Sequence, residues 1–296
     1  MTSSLQLIEK NICAHIIERL DKVGILYRIF SRSKGKKSLE EKIGRKEKEG
    51  KPYTIDGRKI QDIIGIRIVT YFQDDINLVK DMLSETMNFI DEEIDVHELT
   101  VFKPKRTNII CGFTSSDIKI FEETKAASQY EGLNLVDQTF ELQLRTVLSE
   151  GWHEIDHSLR YKCKDEWEGH VEKERMLNGI YASLEVNDIA LKSLFNELSY
   201  QHFKGKNWEA MFRNKFRLKF QPQEMRDDLK QIFLDDVKLP KKFLKVERET
   251  IIKELANTDI AVPVTFNNLI FFTNYFILKN ERINSITPEF IKNCKE

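Results

Sequence analysis

The chain has 296 residues, and its 47 Lys plus Arg nearly cancel its 48 Asp plus Glu, leaving a formal charge of −1. That balance excludes a generally basic nucleic-acid coat and an acidic tail protein. With 41% hydrophobic residues and 19 Phe the chain can fill a core, which excludes wholesale disorder, and its length predicts one large or two modest domains.

Residues 5–28 read as a helix, because Leu5, Ile8, Ile12, Ile16 and Leu20 recur at helical spacing. From 31 to 51 there are nine Lys or Arg against four Glu, a local excess of five in a neutral chain. Ser38, followed by Glu40 and Glu41, suits a helix N-cap with acidic residues in the first turn. Ile64 to Thr70 is a strand with Ile64, Ile66 and Ile68 on one face. A helix over 74–88 follows, and the acidic stretch 91–98 and Ile109-Ile110 suggest further strands. Phe140 to Arg145 alternates strictly, which predicts Phe140, Leu142 and Leu144 inward and Glu141, Gln143 and Arg145 together on the other face. The helix expected over 147–162 would bury Leu148, Trp152, Ile155 and Leu159.

Strands alternating with helices up to about residue 162 indicate a sheet domain with helices. Beyond 171 strand signals nearly vanish. A long helix through Leu177, Ile180, Leu184 and Leu191 is expected, then helices near 223–234, 241–256 and 265–279, with Pro222, Pro240 and Pro263 close to their starts. The expected division is a sheet-containing domain over 1–200 and a helical accessory or regulatory region over 201–296. The run Leu269 to Phe276 is either packing or a partner-sensing surface. Four cysteines (Cys13, Cys111, Cys163, Cys294) lack zinc-ribbon or redox spacing, which predicts reduced thiols in a cytoplasmic protein. No secretion signal opens the sequence, and the apolar stretch 262–278 is too interrupted to span a membrane.

Three features converge on one chemistry. The basic segment 32–42 can cradle phosphates through lysine point charges and an arginine fork. Asp62 directly precedes a strong strand, and Glu141 lies on the open face of another. Two such carboxylates can hold Mg²⁺, which prefers oxygen ligands shared with substrate phosphates. Cations beside a carboxylate-held metal form a phosphoryl-transfer arrangement. Taken singly, the basic run also reads as a solvated helix face and Asp62 as a turn residue.

The spacing also carries a family resemblance. Arg32-x-Lys34-x-x-x-Ser38-x-x-x-Lys42 resembles the ATP-binding motif of the RelA/SpoT alarmone synthetases. Asp62 to Ile68 is similar to their Asp-x-x-Gly-x-Arg strand, and Phe140 to Thr146 to their Glu-x-Gln-x-Arg-Thr strand. Trp152 to His157, with Tyr161-Lys162, resembles the helix that follows. The resemblance covers roughly residues 25–165 in consistent order. It implies an α+β, nucleotidyltransferase-like mixed sheet flanked by helices, with the helical C-terminal region added. It further implies transfer of a pyrophosphoryl group from ATP to the 3′-hydroxyl of a guanine nucleotide, with release of AMP. Arg32, Lys34, Ser38 and Lys42 would grip ATP. Asp62 and Glu141 would hold Mg²⁺ and carry the catalysis, and Phe113, Gln143, Arg145 and His157 would serve the acceptor.

The chain departs from the family at the acceptor loop, Pro-Lys-x-x-Gly-Tyr-Arg-Ser-x-His. Lys103-Pro104-Lys105-Arg106 keeps only its beginning, and Gly112-Phe113-Thr114-Ser115 is a partial match that makes Phe113 the stacking candidate, with Tyr130 as another. Acceptor identity therefore stays open: some relatives modify the 3′ end of tRNA, and a nucleotide-binding pseudoenzyme is a further alternative. A homo-oligomer or an antitoxin partner is also open. Only 31 residues precede Arg32 in this sequence, so the hydrolase domain of bifunctional relatives is not expected. His153-Glu154-Ile155-Asp156-His157 also matches the zinc metalloprotease signature, a less favoured reading because the resemblance already accounts for it.

Overall fold

The computed structural model describes residues 2–94 and 107–295. In chain order the elements are α1 (Thr2–Val23), β1 (Tyr27–Ser33), α2 (Lys36–Lys48), β2 (Ile64–Thr70), α3 (Asp74–Ser84), β3 (Phe89–Ile94), β4 (Thr107–Gly112), α4 (Ser115–Ala127), β5 (Thr139–Thr146) and α5 (Val147–Ile155). A π-helical turn, Asp156–Tyr161, and α6 (Lys164–Trp167) lead into α7 (Val171–Lys204). The remainder is helical: α8 (Trp208–Phe216), α9 (Asp227–Asp235), α10 (Lys238–Lys245), α11 (Arg248–Ala256), α12 (Phe266–Thr273) with a π-helical continuation Asn274–Leu278, α13 (Glu281–Ile286) and α14 (Glu289–Lys292). This is a mixed sheet with helices followed by a helical C-terminal region. The chain divides into two packed units, one of Met1–Ile17, Tyr27–Tyr71 and Leu83–Glu185, the other of Glu18–Leu26, Phe72–Met82 and Val186–Glu296.

The first unit holds the five-stranded sheet, in the order β1-β2-β5-β4-β3. β2 and β5 run parallel at its heart and every other pair is antiparallel. Ile64, Ile66 and Ile68 of β2 and Phe140, Leu142 and Leu144 of β5 are buried, as the period-two pattern demands of a sheet with one face on a core. Leu5, Ile8, Ile12 and Ile16 of α1 are likewise buried. The side chain of Asn11 donates to Asp117 of α4 at 2.8 Å, and Ser31 of β1 donates to Glu9 of α1 at 2.6 Å.

The second unit is built on aromatic side chains. Phe212 stacks with Phe216 and Phe233 and meets Phe243 edge-on. Phe271 and Phe272 of the run 269–276 are buried, so that run is core rather than a sensing surface. The start of α3 is embedded here: Arg217 donates to both oxygens of Asp74, and Arg248 pairs with the fully buried Asp75.

Several sequence expectations change. Residues 27–33, read as helix end and loop, form edge strand β1, whose largely exposed residues give no clear hydrophobic alternation. The N-cap of α2 is Gly35, which places Ser38 inside the first turn. The helix α4 was not expected. Thr114 caps it by accepting from the backbone N–H of Asp117, so the string read as a partial acceptor loop is a helix start. The helix after β5 turns π-helical at 156, and Ile155 and Leu159 are 52% and 61% exposed instead of buried. The helix expected over 241–256 is interrupted between α10 and α11, and α8 was missed. Lys103, Lys105 and Arg106 lie outside the described residues.

Candidate active site

One face of the sheet carries polar side chains because the alternation that buries the isoleucines must turn their neighbours outward. Pairing sets Arg32 of β1, Gly65 of β2 and Glu141 of β5 side by side, and Arg67 beside Gln143 one step along. A Cβ added to Gly65 would lie 3.9 Å from the Arg32 side chain, an ordinary contact, so Arg32 crosses directly over this position. Asp62 stands immediately before β2, and Glu141 is the third residue of β5. Because these two strands are parallel, both carboxylates belong to the same end of the sheet.

Asp62 is clamped by lysines. Lys34 reaches its Oδ2 at 2.5 Å and also donates to its backbone carbonyl at 2.7 Å. Lys42 donates to Oδ1 and Oδ2 at 2.6 and 2.7 Å. The backbone N–H of Lys34 bonds to the carbonyl of Ile63 at 2.8 Å, which ties the end of β1 to the entry of β2. Buried Leu39 anchors α2, and Ser38 and Lys42, four residues apart, share a face of it. Burial pushes the Asp62 carboxyl up, but the Lys34 and Lys42 ammonium groups outweigh it and hold the carboxyl below its ordinary value. Burial also lowers Lys34, and Asp62 restores only part of that.

The face has a second centre, unassigned by the sequence reading. Arg67 Nε donates to Gln143 Oε1 at 2.9 Å, and Gln143 Nε2 donates to Glu141 Oε2 at 2.9 Å. The other end of the guanidinium reaches Glu150 Oε1 at 2.5 Å and also Glu154, both on α5. Burial works against the charge of Arg67, and the two glutamates more than offset it. The bond from Arg67 is also the main reason that Glu154 sits below its ordinary value. Glu150 and Glu154 carried one available signal, their i, i+4 spacing on the helix after β5.

The acceptor residues expected from sequence are not all brought to this face. Phe113 is only 6% exposed and packs against Phe121 and Phe140, with ring centroids 5.8 and 6.4 Å away. It is a core side chain and cannot serve as a stacking platform, because a ring enclosed by two others has no face left for a ligand. Arg145 is buried as well. It donates to the carbonyl of Leu144 at 2.8 Å and to Asn108 Oδ1 at 3.0 Å, which braces β5 against β4. Gln143 is at the site. His157 is exposed, stacks on Tyr161 with centroids 5.8 Å apart, and is lowered by partial burial and by Lys162, Arg32 and Arg67, which sets it beside the cationic cluster. Tyr130 instead lies under Lys36 of α2, 5.1 Å from its ring centroid.

The donor set fits a hard divalent cation. Asp62 is ionised, and among the described residues Gln143 is the only side chain that hydrogen-bonds Glu141. Among the described residues no group of three or more His, Cys, Asp or Glu could hold a metal ion. One or two carboxylates completed by substrate phosphates is the arrangement Mg²⁺ favours. The geometry gives the metalloprotease reading no support. His153 packs edge-on against Trp152 and Tyr181, His157 stacks on Tyr161, and Glu154 is tied to Arg67.

A family profile described as "Region found in RelA / SpoT proteins" matches residues 31–166. The matched stretch contains Arg32, Lys34, Ser38, Lys42, Asp62, Arg67, Glu141, Gln143 and His157. Among solved structures, a GTP pyrophosphokinase family protein from Streptococcus pneumoniae aligns at 21% identity and TM-score 0.46, covering 64% of this chain and 88% of that one. Small alarmone synthetase 1 from Bacillus subtilis, bound to its product pppGpp, aligns at 22% identity and TM-score 0.45, covering 66% and 94%. Small alarmone synthetase 2 from the same organism aligns at 18% identity and TM-score 0.45, covering 64% and 90%. Comparison with curated proteins gives no match. Among the described residues no helix is long and apolar enough to cross a membrane, and all four cysteines are free thiols.

Proposed function

We propose that this chain is a cytoplasmic, ATP-dependent pyrophosphokinase that transfers the β,γ-pyrophosphoryl group of ATP to the 3′-hydroxyl of a guanine nucleotide. The chemistry is assigned to residues 1–200, with 201–296 as a helical accessory region. The observation that carries this reading is the Lys34–Asp62–Lys42 clamp inside the RelA/SpoT region. It sets two ammonium groups that a triphosphate can recruit beside an ionised carboxylate that a cation can.

In this mechanism Arg32, Lys34 and Lys42 bind the triphosphate, and the Ser38 hydroxyl donates to a phosphate oxygen. Lys34 and Lys42 exchange Asp62 for phosphate as ATP enters. Asp62 and Glu141 would hold Mg²⁺, which when bound neutralises charge on the phosphates. Glu141 orients the attacking hydroxyl and accepts its proton. The new bond joins the acceptor oxygen to the β-phosphorus, the bond from that phosphorus to the α,β-bridging oxygen breaks, and AMP leaves. Gln143 and His157 flank the acceptor. Nearly all the catalysis in such a site is positioning and charge stabilisation, and the face is furnished for both.

The experiment is product analysis with labelled ATP and Mg²⁺, supplied with GDP, GTP, adenine nucleotides or tRNA in separate reactions. AMP and a pyrophosphorylated guanine nucleotide are expected. AMP formed only with tRNA would replace the acceptor, and ATP binding without AMP from any acceptor would sink the enzyme reading.

A further inference from the structure

The side-chain amide of Gln143 has two ends of equal size and opposite hydrogen-bonding character, one carbonyl acceptor and one NH₂ donor. Beside a carboxylate that difference is decisive: the donor end attracts it and the acceptor end repels it. What selects the end is the group on the other side. Arg67 offers only donors, and its Nε faces Gln143 Oε1 at 2.9 Å. The carbonyl end must therefore turn to Arg67 and the NH₂ end to Glu141, whose Oε2 accepts from it at 2.9 Å. Arg67 is held in turn, with Glu150 at 2.5 Å and Glu154 on the same guanidinium nitrogen. The strands cooperate, because Arg67 and Gln143 are register partners, as are Gly65 and Glu141.

We propose that Arg67, pinned by Glu150 and Glu154, is a positioning residue that locks the amide orientation of Gln143 and through it the carboxylate of Glu141. One carboxylate oxygen is thereby occupied by a neutral donor, and the other is held facing the site, where the reacting hydroxyl and a bound cation would meet it. The kinetic consequence rests on the pyrophosphokinase reading; the hydrogen-bond relay does not. Loss of Arg67 lets the amide rotate, sets its carbonyl against Glu141 and swings the carboxylate away. The glutamates on α5 thus act on Glu141 through two intervening side chains.

The test separates the two claims. In protein labelled with ¹⁵N-glutamine, the Gln143 NH₂ resonance is identified by its loss in Gln143→Leu. It should exchange with solvent at least about tenfold faster in Arg67→Met, with partial recovery in Arg67→Lys, which restores one donor. The double variant Glu150→Gln/Glu154→Gln should speed exchange in the same direction, and it decides the matter if Arg67→Met does not fold. An unchanged Gln143 resonance in the folded variants overturns the proposal, whatever the activity. In the kinetic arm Glu154→Gln should lower kcat by about tenfold while KM for ATP stays within about twofold. A raised KM with unchanged kcat would make this a binding cluster and overturn the proposal. A wild-type protein that releases no AMP from any acceptor defeats the pyrophosphokinase reading alone and leaves the resonance test standing.

Discussion

Asp62 illustrates how one side chain is prepared by its neighbours. Two ammonium groups keep it charged despite burial, and a charged, partly desolvated carboxylate is what a divalent cation needs. Replacing Asp62 by Asn, or Glu141 by Gln, should lower turnover by roughly a hundredfold or more while ATP affinity changes much less, because each charge matters most in the transition state. Initial rates paired with calorimetric ATP titrations check this; near-wild-type rates in both variants would remove the two acids from the mechanism. Asp62 also contributes to stability with a definite sign. Its carboxyl lies below the ordinary value in the folded state, so the contribution is full above about pH 4 and is lost as pH falls through the depressed value. Urea unfolding from pH 7 to pH 3 should therefore lose stability more steeply in wild type than in Asp62→Asn. Phe113 makes the opposite case. Enclosed by Phe121 and Phe140, it should cost about 3–5 kcal/mol as Phe113→Ala, whereas Phe113→Leu should fold and leave the acceptor KM unchanged.

At the scale of elements, the parallel pairing of β2 with β5 does most to assemble the site, because it brings two strands remote in sequence to the same end of the sheet. Period-two alternation made the open face readable in advance: with Leu142 and Leu144 buried, Glu141 and Gln143 must turn the other way. The same logic says nothing of Arg67's partners, which lie 83 and 87 residues away on α5. It also failed for β1, an exposed edge strand, and for the acceptor side, where Thr114 caps α4 and buries Phe113. α3 gives a prediction of its own. Its first turn carries Asp74 and Asp75, and Asp75 is fully buried with Arg248 as partner. Burial pushes the Asp75 carboxyl up even against Arg248, so this pair is closely balanced. Arg248→Met strands a buried acid and should destabilise by about 3–5 kcal/mol, read by thermal or urea unfolding. The double variant Asp75→Leu/Arg248→Met should recover most of that loss, since it leaves no unpaired buried charge and only the Phe216 carbonyl loses its donor.

At the scale of the whole chain, the second unit takes in residues 72–82 as well as 186–296, so the helical region is not simply an appendage after the profile-matched residues 31–166. Deleting 205–296 would strip Asp74 and Asp75 of Arg217 and Arg248 and remove the aromatic core of the second unit, Phe212 and Phe233 included, leaving what packed on it uncovered. The truncated protein should be recovered as aggregate, measured by sedimentation and by its soluble fraction. A soluble, folded and more active truncation would instead make the region a detachable regulator. By itself the sequence determined what depends on neighbours a few residues apart: the strand faces, the basic segment, the motifs that resemble the RelA/SpoT family and the predominance of helix beyond 171. Only the tertiary structure decided which charges meet, which rings are enclosed and which helix packs with which unit. Those outcomes depend on contacts between residues far apart in the chain, and local spacing carries no information about the partner.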